Sequence, residues 1–188
     1  MCFPDIDYEW FSFINSKVHN YPFFDMIMIL FAEYVQYAFV ILILMLWLVN
    51  KKNYRVIAFQ AIFAFTLAYS INRVIEQFIY RERPFVSHDI IQLVEHTANS
   101  SFPSDHATSA IVIAFTLWLS SYRYKHLWFL LAIMVAFSRI WVGVHYPLDV
   151  ITGIFHGLII AVYTHYFLFK LKPITSIIDR PIFHGQET

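Results

Sequence analysis

Charge is what this sequence has least of. Only 14% of its 188 residues are Asp, Glu, Lys or Arg, against ~25% in an ordinary soluble domain. Thirteen basic and thirteen acidic residues cancel, so no basic field draws the chain to nucleic acid. Cysteine occurs once, at Cys2, which excludes an internal disulfide and a cysteine-based metal site. Four glycines are few for a carrier built from broken helices around a midplane site. The first residues include Asp5, Asp7 and Glu9 and lack a basic start, so no signal peptide is expected and insertion falls to the hydrophobic segments themselves. No internal repeat and no low-complexity tract is present.

Apolar residues take the place of charge. They make up 59% of the chain, with twenty Phe, twelve Tyr and five Trp, a composition suited to a lipid-facing surface with interfacial aromatic belts. The expected architecture is a single all-α integral membrane domain over residues 1–188, a bundle of about five transmembrane helices preceded by an interfacial helix. Residues 4–20 carry apolar side chains at Ile6, Trp10, Phe13, Ile14 and Val18 with helical period, but are too short and polar to span. Spans are expected near 23–49, 56–80, 104–121, 127–142 and 148–169. Glu33 and Gln36 in the first span read as hydrogen-bonding partners of a neighbouring helix. Pro84 closes the second, with Asn72, Glu76 and Arg83 on one face for as long as that helix lasts.

Five spans alternate sides. Lys51, Lys52, Arg55, Arg123, Lys125, Lys170, Lys172 and Arg180 fall at one end of the bundle, which the positive-inside rule places in the cytoplasm. The N-terminus is then outside and the C-terminus inside.

Three polar clusters, far apart in sequence, fall at the outer end. The first is Arg81 and Arg83, with Arg73 and Glu76 just before them. The second is Pro103-Ser104-Asp105-His106. Ser104 is a helix N-cap candidate there, and a helix N-terminus is an anion site. The third is Ser138 to Asp149, where Arg139, His145 and Asp149 interrupt apolar sequence. Taken alone, this stretch reads equally as a helix-end Arg with a core His. Convergence of all three at one depth favours a working site for an anionic substrate. Arg83 and Arg139 suit phosphoryl oxygens. His145 steered by Asp149 is a candidate nucleophile, with His106 as acid and base. Two guanidiniums and a helix dipole supply the positive charge, so no metal and no cofactor is required. His156 reads as a core or interhelical residue.

These residues resemble the type 2 phosphatidic acid phosphatase superfamily, whose motifs are Lys-x6-Arg-Pro, Pro-Ser-Gly-His and Ser-Arg-x5-His-x3-Asp. The third is complete as Ser138, Arg139, His145 and Asp149. The second has Asp105 for Gly, and the first ends in Arg83-Pro84 with Glu76 at the Lys position. The resemblance implies a phosphohistidine at His145 supported by Asp149, acid–base work by His106, and phosphate binding by Arg83, Ser104 and Arg139, with Pro103 and Asp105 beside them. Glu76 is expected to orient Arg83 or Arg73, or to leave the clamp to Arg81. Short length, an outward site and the Glu-for-Lys change look like the bacitracin-resistance type of undecaprenyl pyrophosphate phosphatase. That branch implies a polyprenyl pyrophosphate substrate, a plasma-membrane location and a role in carrier-lipid recycling for the cell wall. The rival readings are a phosphatase for phosphatidylglycerol phosphate, phosphatidate or another prenyl phosphate, and a transporter-like or non-catalytic lipid-binding protein.

Overall fold

The computed structural model describes residues 5–49 and 51–170. Cys2, Asn50, residue 4 of the expected first helix, and the tail with Lys172 and Arg180 lie outside the described residues. The described chain is helical: α1 (Asp5–Asn15), α2 (Pro22–Glu33), α3 (Val35–Leu48), α4 (Lys52–Phe78), α5 (Pro84–Ser87), α6 (Asp105–Leu119), α7 (Lys125–Trp141) and α8 (Pro147–Lys170). α4 and α8 are each long and apolar enough to cross a membrane, and α2 with α3 forms a third such span if the bent pair counts as one. Among the described residues the bundle is formed by α2–α3, α4, α6, α7 and α8. α6 is the central one, packed against α4, α7 and α8.

Small residues among those α6 buries help it sit at the centre. Ala107, Ala110 and Ala114 are buried on it, and Gly153 of α8 lies so near that an added Cβ would stand 2.8 Å from the Ser104 carbonyl. Small contacts of this kind let membrane helices approach closely. Here they hold the start of α6 against the start of α8.

Three features depart from the expected layout. The first span is bent by 42° where α2 gives way to α3. At the break the Ala32 carbonyl accepts a hydrogen bond from Arg139 Nη1 (2.9 Å). α4 ends at Phe78, well before Pro84, so Arg83 does not share a helical face with Asn72 and Glu76. The segment after α4 instead runs alongside Ser101, whose N–H donates to the Arg81 carbonyl (2.7 Å). The N-terminal helix ends at Asn15 rather than running to residue 20. It leaves Ile6, Trp10 and Phe13 exposed and buries Asp7, Phe11 and Asn15, a stripe at i, i+4 and i+8 turned toward the bundle.

The connection from α5 to α6 packs over the end of the bundle. Val94 joins Trp141, Val142 and Val144 in a buried cluster flanked by Ile91 and Leu93. Leu93 N–H donates to the Val142 carbonyl (3.1 Å). Gly143 makes this possible, with φ +85° and the Ile91 carbonyl where a Cβ would stand, 2.6 Å away.

Candidate active site

The turn between α7 and α8 carries His145, which is 1% exposed. Its Nδ1 lies 2.8 Å from the Ser101 carbonyl. A carbonyl only accepts, so Nδ1 carries the hydrogen and Nε2 presents its lone pair. Nε2 faces Arg83 Nη1 at 3.1 Å. Burial, then the guanidiniums of Arg83 and Arg139, hold the imidazole well below its ordinary pKa. His145 is therefore neutral at neutral pH, the form a nucleophile needs.

Asp149 connects to this imidazole largely through Ser101. Its Oδ2 is 3.8 Å from His145 Nδ1 but accepts a 2.5 Å hydrogen bond from Ser101 Oγ and another from Tyr146 N–H (2.9 Å). Ser101 thus touches the ring with its carbonyl and the carboxylate with its hydroxyl.

The two arginines expected at the phosphate are held differently. Arg83 is tied into the protein. Its Nε donates to Asn99 Oδ1 (3.0 Å), Nη1 to the Val144 carbonyl (2.9 Å) and Nη2 to the Ser100 carbonyl (3.2 Å). Burial lowers its pKa to about 10, while Asp149, Asp105 and Glu76 oppose the shift, so it stays a cation at neutral pH. Arg139 is 1% exposed, and its buried Nε has no hydrogen-bond partner. A buried cation with an unsatisfied donor is costly unless an anion completes it.

The start of α6 forms the facing wall. Pro103 and Ser104 are buried, and the Ser104 side chain caps the Ala107 N–H. Backbone joins the two halves of the site, since Ser104 N–H donates to the Asp149 carbonyl (3.1 Å). His106, in the first turn of α6, faces the His96 ring at 6.5 Å between centroids. His96 in turn stands 6.4 Å from the His145 ring. Burial lowers the His96 pKa, with a hydrogen bond to the Thr97 carbonyl acting the other way.

The remaining expected residues fall in two groups. Arg73 pairs with Glu76 (2.7 Å) and with Asp105. Asn72 Nδ2 also donates to Asp105 Oδ1 (2.9 Å), while Asn72 Oδ1 accepts from His156 Nδ1 (2.7 Å). His156 is thus the interhelical residue expected of it. Arg81 bonds Asp149 through Nη1 (2.7 Å) and Asp7 through Nη2 (2.7 Å). It stacks on the Tyr146 ring, 3.8 Å from the centroid. The structure therefore places Arg81 behind Asp149 and not at the clamp position, and pairs Glu76 with Arg73 and not with Arg83.

A cleft of about 410 Å³ opens beside His106 and Asp105, walled by Tyr37 and Val40 of α3, Phe65 and Tyr69 of α4, and Ile113 of α6. Its apolar walls lead from the polar end along the helices. The arrangement is equipped to neutralise a phosphoryl group, attack it with an imidazole and accommodate an apolar tail.

Residues 57–173 match the model of the PAP2 superfamily. The chain belongs to that superfamily. It is 31% identical to a bacitracin transport permease protein, BcrC, of Bacillus licheniformis, over 95% of this chain and 89% of that one. It is also 31% identical to the undecaprenyl-diphosphatase BcrC of Bacillus subtilis strain 168, over 93% of this chain and 91% of the relative. The crystal structure of Aquifex aeolicus LpxE superposes with a TM-score of 0.74 at 28% identity, over 87% of this chain and 96% of the other. In this PAP2 chain the two departures from the superfamily motifs, Glu76 and Asp105, are neighbours bridged by Arg73.

Four residues of the site were not legible in the motifs. Ser101 and His96 lie in an irregular connection without spacing to mark them. Asn72 is separated by 33 residues from Asp105. Asp7 had a signal, since its stripe with Phe11 and Asn15 opposes the exposed apolar face of α1.

Proposed function

We propose that the protein hydrolyses undecaprenyl pyrophosphate to undecaprenyl phosphate and inorganic phosphate at the outer face of the plasma membrane. The reaction recycles the carrier lipid of cell-wall synthesis and confers bacitracin resistance. The observation that carries this reading is a neutral His145 whose Nε2 faces a guanidinium, on a site whose His106 and Asp105 border an apolar cleft. His145 Nε2 attacks the terminal phosphorus, and the bond to the bridging oxygen breaks. Arg83 Nη1 moves from Nε2 to a phosphoryl oxygen, Arg139 takes another through its unsatisfied Nε, and the α6 N-terminus supports a third. His106 gives its proton to the departing undecaprenyl phosphate oxygen. It then takes a proton from the water that cleaves the phosphohistidine and releases phosphate. The cleft beside His106 takes the first isoprene units.

One relative is named as a permease and another as a diphosphatase, at equal identity. A carrier site belongs near the midplane, whereas the His, Arg and Asp residues here gather at one end of the bundle. Lys51, Lys52, Arg123 and Lys125 occupy the opposite end, which favours an outward site.

Phosphate release from undecaprenyl pyrophosphate, phosphatidylglycerol phosphate and phosphatidate, measured side by side on purified protein, tests the substrate. Undecaprenyl pyrophosphate is expected to be preferred, and preference for a glycerolipid overturns the reading. In intact cells with Cys2→Ser, an impermeant thiol reagent is expected to label Asp89→Cys and spare Tyr124→Cys. The reverse pattern would overturn the orientation.

A further inference from the structure

We propose that Asp7, on the N-terminal helix, is a positioning residue for the nucleophile: by sharing Arg81 with Asp149 it keeps negative charge available beside His145. The inference rests on the reading of His145 as nucleophile.

The geometry, among the described residues, is a buried row of three charges. Asp7 is 3% exposed, Arg81 8% and Asp149 0%. Each carboxylate holds one terminal nitrogen of the same guanidinium, both at 2.7 Å. Asp149 has two further donors, Ser101 Oγ at 2.5 Å and Tyr146 N–H at 2.9 Å. A carboxylate paired one-to-one with an arginine is electrostatically close to neutral at a distance. Such a pair gives an imidazole little support as it takes on positive charge during attack. Asp7 changes the sum. Two carboxylates on one guanidinium leave a net negative row, and Asp149 is its end nearest the ring, 3.8 Å from Nδ1. Among buried groups that difference is screened less than it would be in water.

Asp7 has a second hold on the same place. Its Oδ1 accepts from Leu148 N–H (2.9 Å), in the first turn of α8 and next to Asp149. An acceptor here satisfies one of the N–H groups a helix start leaves open. The rest of α1 fixes Asp7 in register. Phe11 is fully buried with Ile140, Tyr146 and Val150, and Asn15 exchanges two hydrogen bonds with the Ile91 backbone (2.8 and 3.0 Å). α1 thereby becomes part of the catalytic wiring as well as an interfacial helix.

A purely mechanical staple makes a different prediction from charge sharing, and one pair of variants separates them. Asp7→Asn retains an acceptor for Leu148 N–H and deletes the charge. The double variant Asp7→Asn with Arg81→Gln removes both charges and lets the two amides bond each other. With undecaprenyl pyrophosphate in mixed micelles, Asp7→Asn is expected to lower kcat about tenfold with KM changed less than about twofold. The double variant is expected to recover kcat to within about threefold of wild type, because Asp149 regains its charge. Wild-type kcat in Asp7→Asn overturns the proposal, as does a double variant no better than the single one. Should Asp7→Asn not fold, the double variant alone decides, with a fall of about tenfold or more counting against. His145→Ala runs in parallel. Turnover surviving in His145→Ala defeats the nucleophile assignment, whereas an inert His145→Ala beside an unaffected Asp7→Asn defeats only the role of Asp7.

Discussion

Two arginines at the polar end of this protein do the same thing in different surroundings. Arg81 bridges Asp7 and Asp149, and Arg73 bridges Glu76 and Asp105. The first trio is interior, with the Arg81 side chain 8% exposed and its partners at 1% and 0%. The second lies at the rim, with Arg73 at 36% and its partners at 17% and 30%. The same ion-pair geometry should therefore matter unequally. Breaking a buried pair strands a charge in a low-dielectric interior, at a cost of about 3–5 kcal/mol. Exposed pairs contribute about 0–1 kcal/mol. The contrast separates a buried part of the site from a half-exposed one, and both departures from the superfamily motifs fall in the second.

The inner trio should respond most strongly at Arg81. Arg81→Ala leaves two buried carboxylates facing each other. It is expected to destabilise the protein by about 3–5 kcal/mol, read as a fall in the thermal midpoint in detergent. A loss under about 1 kcal/mol would place the inner trio in the same class as the rim. Ser101→Ala comes next. It removes the hydroxyl that relays Asp149 to the imidazole while leaving the Ser101 carbonyl in place. An effect of about tenfold on kcat is expected, with KM and thermal midpoint nearly unchanged. If KM rises and kcat holds, Ser101 belongs to substrate binding. The rim should give the smallest response. Glu76→Lys installs the superfamily cation and leaves Arg73 to Asp105, and turnover is expected to stay within about threefold and stability within about 1 kcal/mol. A loss of a hundredfold or more would draw Glu76 into the chemistry.

What could be read in the sequence follows from how local each feature is. Arg139, His145 and Asp149 lie within a dozen residues, where a turn between two helices fixes their geometry, so their spacing carried the inference. Ser104 and Asp105 were legible for the same reason, since a helix start announces itself in four residues. The bend after Glu33 had no local sign, because neither Pro nor Gly stands there. Its visible counterpart is Arg139, which takes the Ala32 carbonyl from 107 residues away. For Arg81 a clamp role was one of the alternatives the Glu76 position left open. Its actual partner Asp7 is 74 residues distant, and only folding brings the two together. Pairing at that range leaves no periodicity in the chain. The i, i+4, i+8 spacing of Asp7, Phe11 and Asn15 was the nearest thing to a clue.

Rapid quenching of wild-type protein turning over undecaprenyl pyrophosphate shows whether His145 receives the phosphoryl group. Quenching into alkali, where a phosphoramidate survives, followed by mass spectrometry of the peptide spanning α7 and α8, locates the adduct. A phosphoryl group on His145, absent from His145→Ala, is the predicted result. A phosphoryl group on any other residue, or full turnover without a phosphoenzyme at any quench time, would contradict the account.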